Sequence, residues 1–209
     1  MIDEVSIAFI GIFLLSLIIS LSFHEAMHGF MAYWLGDTTA SEQGRLTLNP
    51  IKHIDPFTTA LLPLLLIILG YPPFLIAKPV PFNPSRVRWG EFGAALVGLA
   101  GPVSNILLAL VGVSVIKVLG ISQNEFLYEI IALFIQLNIA IFVFNMIPYP
   151  PLDGSRVLYA LAPDPVRNIM QQIESFGITG ILIFMFFIFR FLIPIVTSIN
   201  NFLFNLFLG

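Results

Sequence analysis

The chain has 209 residues, of which 58% are hydrophobic and only 10% charged, and its mean hydropathy is +0.97. This composition excludes an ordinary soluble domain and favours a protein whose solvent is the lipid bilayer. Cysteine is absent, so disulfides and thiolate ligands are excluded and any metal must be held by His, Asp or Glu. The net charge of −3 forms no basic stripe, which excludes a nucleic-acid binder. We expect residues 1–209 to form a single integral-membrane domain.

The first apolar run covers residues 5–23 and contains no charge. At about 1.5 Å per residue, about 20 apolar residues span a bilayer, so a membrane helix is predicted that continues to Leu35 and ends at Gly36-Asp37. We interpret it as a permanent membrane segment, because no Lys or Arg precedes it and no small-residue cleavage site follows it. Alternating Leu and Thr side chains at residues 44–49 predict a short β-hairpin-like stretch after this helix.

The remaining apolar runs predict the rest of the membrane part. Residues 57–77 are interrupted by proline and glycine, which favours a re-entrant or half-inserted element. Residues 92–119 and 126–147 each predict a spanning helix, and Ala94 and Gly98 are spaced so that another helix can approach closely. Residues 176–208 predict one spanning helix with a broken or interfacial end. The predicted fold is an all-α polytopic membrane protein with about four to six membrane segments.

The most informative pentapeptide, at the end of the first run, is His24-Glu25-Ala26-Met27-His28. Residues four apart share one face of a helix, so both imidazoles can bind the same ion. Glu25 is placed beside that ion, where it can take a proton from the attacking water and pass it to the leaving amine. A chance pair of buried histidines is the alternative, but each charge near the bilayer centre costs about 2.5–3.5 kcal/mol without a partner. A bound cation satisfies all three groups.

Two histidines leave a tetrahedral zinc ion short of a third protein ligand, with water in the fourth position. Asp153 is the strongest candidate because it follows a spanning run and lies in a turn set by neighbouring prolines and Gly154. An ordinary turn aspartate is an equally good interpretation of these residues alone. The other candidates near membrane segments are His53, Asp55, Glu91, Glu125, Glu129 and Glu174.

Three motifs together resemble the site-2 protease family of zinc intramembrane metalloproteases, in a compact form without accessory domains. In chain order, on successive apolar segments, they are His24-Glu25-Ala26-Met27-His28, Gly101-Pro102-Val103-Ser104-Asn105 and Asn145-Met146-Ile147-Pro148-Tyr149-Pro150-Pro151-Leu152-Asp153-Gly154. The resemblance implies that His24, His28 and Asp153 bind one zinc ion per chain. It also implies that Glu25 is the catalytic acid and base.

The resemblance further implies a supporting catalytic role for Asn145. We expect its side chain to donate a hydrogen bond to the oxyanion that forms at the scissile carbonyl, and an interhelical hydrogen bond is the alternative. Asn105 is expected to be structural, bridging backbone groups left open by Pro102. His53 and Asp55 could support the site or face the substrate, but a solvated loop pair is the simpler interpretation.

A shared metal ion constrains how the chain crosses the membrane. The histidines lie near the end of the first run and Asp153 follows the end of run 126–147, so these two ends must lie on one side of the bilayer. Residues 57–77 are therefore expected not to cross fully. We expect an integral, multi-pass cell-membrane protein whose site lies within the bilayer near the cytoplasmic side, which the positive-inside rule assigns from the bases collected there. These bases are Arg45, Lys52, Lys78, Arg86, Arg88, Arg156 and Arg167.

The predicted function is zinc-dependent hydrolysis of peptide bonds in or near the transmembrane helices of membrane-protein substrates. Because a helix hides its scissile carbonyl, we expect the substrate to unwind, or to pair as an extended strand with residues 44–49 or 78–84. A transporter or channel is the main alternative, since intramembrane His, Glu and Asp also serve ion paths. It would require inverted repeats or polar residues spread over several helices, and the sequence contains neither. A catalytically inert membrane scaffold is the third alternative.

Overall fold

A computed structural model of the chain describes residues 4–53, 55 and 78–209, and the re-entrant element predicted at residues 57–77 lies outside them. Every regular element in the described ranges is helical, which confirms the predicted all-α class. The α-helices are α1 (Glu4–Trp34), α2 (Thr39–Glu42), α3 (Glu91–Leu119), α4 (Phe126–Asn145), α5 (Gly154–Leu161), α6 (Asp164–Ser175), α7 (Ile178–Ile183) and α8 (Phe189–Leu208). Shorter turns are 3₁₀-helical at Pro50–His53 and Pro84–Arg86 and π-helical at Phe184–Ile188.

Four helical stretches among the described residues are long and apolar enough to cross a membrane: Ala8–Trp34, Glu91–Leu119, Phe126–Asn145 and Thr179–Leu208. The last stretch joins α7, the π-helical turn and α8, so the helix is not broken near its C-terminus, and the alternative of an interfacial end stays a prediction. The helix passes through Pro194 and Asn200-Asn201 and ends at Leu208. In an apolar medium a helix satisfies backbone groups within the segment, so isolated polar residues do not end it.

The core consists of α1, α3 and α4, with α3 in contact with both of the others. Small residues on α3 allow this close approach. A Cβ on Gly112 would lie 2.7 Å from Ile135 Cγ1 on α4, and a Cβ on Gly98 would lie 2.9 Å from Arg156 Cβ on α5. Ala109 is fully buried at the seam with α4. Small side chains are typical of membrane helix interfaces, where packing replaces the hydrophobic effect as the driving force.

The C-terminal ends of α1 and α4 lie at the same end of the bundle, as the shared-ion argument required. The backbone N–H of Arg88, just before α3, donates to the carbonyl of Leu35, just after α1, at 2.9 Å. The turn that follows α4 brings the carbonyl of Asp153 against Gly98 in the first turns of α3. The chain from the end of α1 to the start of α3 therefore leaves and returns at one end of the bundle.

The β-hairpin-like stretch predicted at residues 44–49 is wrong, because no described residue there belongs to a strand. Its polar groups are used locally instead. The N–H of Arg45 caps α2 at the Ala40 carbonyl (2.8 Å), and Thr47 Oγ1 accepts from the N–H of Asn49 at 3.1 Å. Asn49 Oδ1 then accepts from the N–H of Ile51 at 3.1 Å, which begins the 3₁₀ turn. Thr and Asn side chains that bond the backbone two residues ahead favour turns over strand pairing.

Candidate metal centre

Three side chains from two distant parts of the chain meet at the common end of the bundle. His24 and His28 lie one turn apart on α1, and Asp153 is the residue that precedes α5. The distance from His24 Nε2 to Asp153 Oδ2 is 3.0 Å, and that from His28 Nε2 to Asp153 Oδ1 is 3.4 Å. The two Nε2 atoms are 3.1 Å apart, and both imidazoles are buried. Among the described residues, His24, His28 and Asp153 have ligand atoms within 4.8 Å of one another, close enough to hold one ion. These are the three residues that the sequence predicted.

Hydrogen bonds behind the two rings decide which nitrogen faces the site. His24 Nδ1 lies 2.7 Å from Asn105 Oδ1, and His28 Nδ1 lies 2.7 Å from the carbonyl oxygen of Val97. Both partners are acceptors, so in the neutral rings Nδ1 carries the hydrogen and Nε2 presents a lone pair to Asp153. This is the orientation in which histidine ligates a metal while a second group fixes its tautomer.

The residues present fit a divalent cation. Two Nε2 lone pairs and a carboxylate converge within hydrogen-bond distance, and Asp153 Oδ2 is buried without a hydrogen-bond partner in the described structure. Gly101 on α3 leaves the space that the rings occupy, because a Cβ there would lie 2.8 Å from His24 Cε1 and closer still to the His28 ring. Two imidazoles and a carboxylate, with a fourth position left for water, form the donor set of catalytic zinc sites.

Glu25 lies beside this group. It is partly exposed, and its Oε2 accepts a hydrogen bond from the backbone N–H of Val80 at 2.8 Å. One position after His24 on the helix, its side chain does not point at the same place as the ligand ring. The hydrogen bond from Val80 therefore holds one carboxylate oxygen of Glu25, on the residue that directly follows His24.

Comparison with known proteins gives relatives of one kind. The chain is 40% identical over 176 residues to a Bacillus subtilis (strain 168) protein named "Putative zinc metalloprotease YwhC", covering 81% of this chain and 77% of that relative. This chain belongs to the site-2 protease family. Proteins named "Putative zinc metalloprotease Rip2" from Mycolicibacterium smegmatis and Mycobacterium tuberculosis H37Rv are each 27% identical, covering 82% and 85% of this chain and 66% and 68% of those relatives. No family model matches the chain, and no solved structure matches it.

The three sequence motifs of the site-2 protease family meet at this centre, but two asparagines have other partners than expected. Asn105 does not bridge the backbone near Pro102: its Oδ1 faces His24, and its Nδ2 donates to Asn138 Oδ1 at 2.9 Å. Asn145 donates from Nδ2 to the carbonyl of Ile141 in its own helix at 3.0 Å, so this bond is not interhelical.

Sequence reasoning missed Asn138, which completes a fully buried chain of amides behind His24. Its Nδ2 donates to Ser20 Oγ on α1 and to the Phe134 carbonyl on its own helix, both at 2.9 Å. A polar side chain in an apolar spanning run is costly unless partnered, and that signal could have singled out Asn138 in residues 126–147. Ser20, Asn105 and Asn138 thus tie α1, α3 and α4 together directly behind the His24 imidazole.

The interpretation of His53 as part of a solvated loop pair is wrong. His53 is buried, and its Nε2 lies 2.8 Å from the carbonyl oxygen of Thr47. The backbone carbonyl of His53 also accepts from the N–H of Lys78 at 2.9 Å, which joins the segment after α2 to the segment before α3. Of the other acids considered as ligands, Glu174 pairs with Arg156 at 2.6 Å and does not belong to the converging group found among the described residues.

Proposed function

We propose that the chain is a zinc-dependent endopeptidase that hydrolyses peptide bonds in or near transmembrane segments of membrane proteins. One observation carries the proposal: two buried imidazole Nε2 atoms and the Asp153 carboxylate converge, with Glu25 next to the first ligand. The names of the relatives given above, each of which begins "Putative zinc metalloprotease", support the same chemistry. Two ligands and the amides behind them lie on helices of membrane-spanning length, which supports action within the bilayer.

Basic residues at the end of the bundle that carries the site support a location of the site near the cytoplasm. Arg88 lies at the start of α3, and Arg45 and Arg156 follow α1 and α4 at that same end. Basic residues concentrate in cytoplasmic loops of membrane proteins. We infer a multi-pass protein whose metal centre lies inside the bilayer, a short distance from the cytoplasmic surface.

The residues divide the work of hydrolysis. His24, His28 and Asp153 would hold the zinc ion, which would supply Lewis acidity toward the attacking water and the scissile carbonyl. Glu25 accepts a proton as the water oxygen bonds to the carbonyl carbon, and it donates that proton to the leaving nitrogen as the C–N bond breaks. One water is added across the peptide bond, and no further reactant is consumed. Asn145 is proposed to donate a hydrogen bond to the oxyanion.

Residues 78–84 have few free backbone N–H groups with which a substrate strand could pair. Prolines at three of the seven positions have no N–H. The N–H groups of Lys78, Val80 and Asn83 are bonded to His53, Glu25 and Asp37 respectively. We therefore favour local unwinding of the substrate helix over strand addition to this segment.

The test uses the full chain in proteoliposomes with a pooled library of single-span reporter proteins, whose spanning segments of about 20 apolar residues vary in sequence. We expect the zinc-loaded parent to cleave a subset within the span, with cleavage sites read by mass spectrometry. Glu25→Gln should retain zinc and lose about 10²–10⁴-fold in rate, whereas His24→Ala should lose zinc. Zinc retained in His24→Ala, or undiminished cleavage by Glu25→Gln, would refute the assignment. Zinc-dependent ion flux without cleavage would favour a transporter.

A further inference from the structure

The segment of residues 78–83, which precedes α3, lies directly against the face of α1 that carries Glu25 and Gly29. Its central residue, Val80, is 6% exposed and donates its N–H to Glu25 Oε2 at 2.8 Å. The Val80 side chain packs against Gly29, where an added Cβ would lie 3.0 Å from Val80 Cγ1. Gly29 is one helical turn beyond Glu25, so the absence of a side chain at that position lets the segment reach the carboxylate.

A buried arginine holds the segment before Val80. Arg45 Nη2 donates to the carbonyl oxygen of Lys78 at 2.8 Å and to that of Pro79 at 3.4 Å, and Arg45 is only 8% exposed. The N–H of Lys78 is fixed in turn by the carbonyl of His53. Burying a charged guanidinium costs free energy unless it is hydrogen-bonded. Here its hydrogen bonds to backbone carbonyls hold Lys78 and Pro79, the two residues before Val80.

A buried aspartate holds the segment after Val80. Asp37 Oδ2 accepts from the N–H of Asn83 at 2.5 Å, and its Oδ1 accepts from the N–H and hydroxyl of Thr39. Burial alone would raise the pKa of the Asp37 carboxyl, but these hydrogen bonds lower it below its ordinary value, so Asp37 is ionised at neutral pH. Phe82, between the two anchors, packs into the cluster of Leu35 and its neighbours.

We propose that the Val80 N–H orients the Glu25 carboxylate for proton transfer, and that Arg45 and Asp37 are positioning residues that hold residues 78–83 for this purpose. The inference rests on the proposed function, in which Glu25 moves the proton. Binding of Oε2 by a backbone donor leaves Oε1 to face the attacking water. Val80 lies between Pro79 and Pro81, which confine the backbone to extended conformations, so the N–H is presented with little freedom to move.

The first test compares Val80→Pro with Val80→Ala in zinc-loaded proteoliposomes, using the reporter that the parent cleaves best. Both changes remove the branched side chain, but only proline removes the N–H. We expect Val80→Pro to lower kcat by about 10–100-fold relative to Val80→Ala, with KM within about twofold between the two variants. Zinc content should be unchanged in both, because the ligands are untouched.

The second test adds a measurement that does not depend on activity: the rate of backbone amide hydrogen exchange in residues 78–83. In residues 78–83 the amide hydrogens belong to Lys78, Val80, Phe82 and Asn83, since residues 79 and 81 are proline. We expect Arg45→Ala and Asp37→Ala to speed exchange in this segment and to lower kcat together, while Arg45→Lys recovers part of both. Glu25→Gln, which keeps an acceptor oxygen, should keep protection that Glu25→Ala loses.

The outcomes separate this inference from the proposed function. If the parent cleaves and Glu25→Gln is inactive, but Val80→Pro equals Val80→Ala, the positioning role is wrong and the protease assignment stands. Faster exchange in Arg45→Ala and Asp37→Ala with unchanged kcat overturns the positioning role as well. If the zinc-loaded parent cleaves no reporter, both the assignment and the inference fail.

Discussion

Replacement of Asn105 by leucine removes the group that fixes the tautomer of His24 while nearly preserving volume. The Asn105 side chain accepts from His24 Nδ1 at 2.7 Å and donates to Asn138 at 2.9 Å, and all three side chains are buried. The substitution leaves the donor His24 Nδ1 and the acceptor Asn138 Oδ1 buried without these partners. Each such loss costs about 1–3 kcal/mol, so the free energy of unfolding should fall by about 2–6 kcal/mol. Loss of a group that orients a ligand typically weakens metal binding about 10–100-fold, and we expect a loss in that range.

The assay is competition for zinc between the detergent-purified protein and a chelating dye, with thermal unfolding measured in parallel with and without a chelator. Ser104→Ala is the matched control: Ser104 is the buried neighbour of Asn105, and its Oγ donates to the Gly101 carbonyl of its own helix at 2.6 Å. Its zinc affinity should equal that of the parent. A folded Asn105→Leu variant that binds zinc as tightly as the parent would show that the amide does not orient His24.

Three further predictions test the packing and the electrostatics. Gly101→Ala should abolish zinc binding, measured by metal analysis, since its Cβ would lie 2.8 Å from His24 Cε1. Gly112→Ala should lower stability by about 1–3 kcal/mol in thermal unfolding through overpacking against α4, while Gly11→Ala, a helical position with open space, should be neutral or slightly stabilising. Asp37→Asn should destabilise at neutral pH. Because the folded-state pKa of Asp37 is depressed, its stabilisation is present above the ordinary value of 3.8 and lost as the pH falls below it. The gap between parent and variant in an acid titration should close accordingly, and a gap that widens would contradict this assignment.

Several features followed from local rules and were available in the sequence. The apolar runs set the four membrane-length helices, because helix length and bilayer thickness are both known quantities. The spacing of His24 and His28 placed both rings on one face of α1, since four residues make about one helical turn. The motif order pointed to Asp153, yet composition and spacing alone left it equal to a turn aspartate.

Other expectations failed where side chains compete with backbone pairing. Residues 44–49 alternate like a strand, but Thr47 and Asn49 bond nearby N–H groups and form turns instead. His53 was interpreted as solvated because it lies in a polar stretch of the chain. In the structure it is buried, and its Nε2 lies against the carbonyl oxygen of Thr47. Local polarity does not report burial, because burial depends on which distant segment covers a residue.

The sequence by itself determined that this is an all-helical membrane protein with a His-Glu-x-x-His helix, because helical periodicity and apolar length act within one segment. Only the tertiary structure decided that Asn105, 81 positions from His24, lies within hydrogen-bond distance of His24 Nδ1, and that Val80, 55 positions from Glu25, donates to its carboxylate. Such contacts join segments through packing, and no rule of spacing connects residues whose separation is set by how helices and loops meet in space.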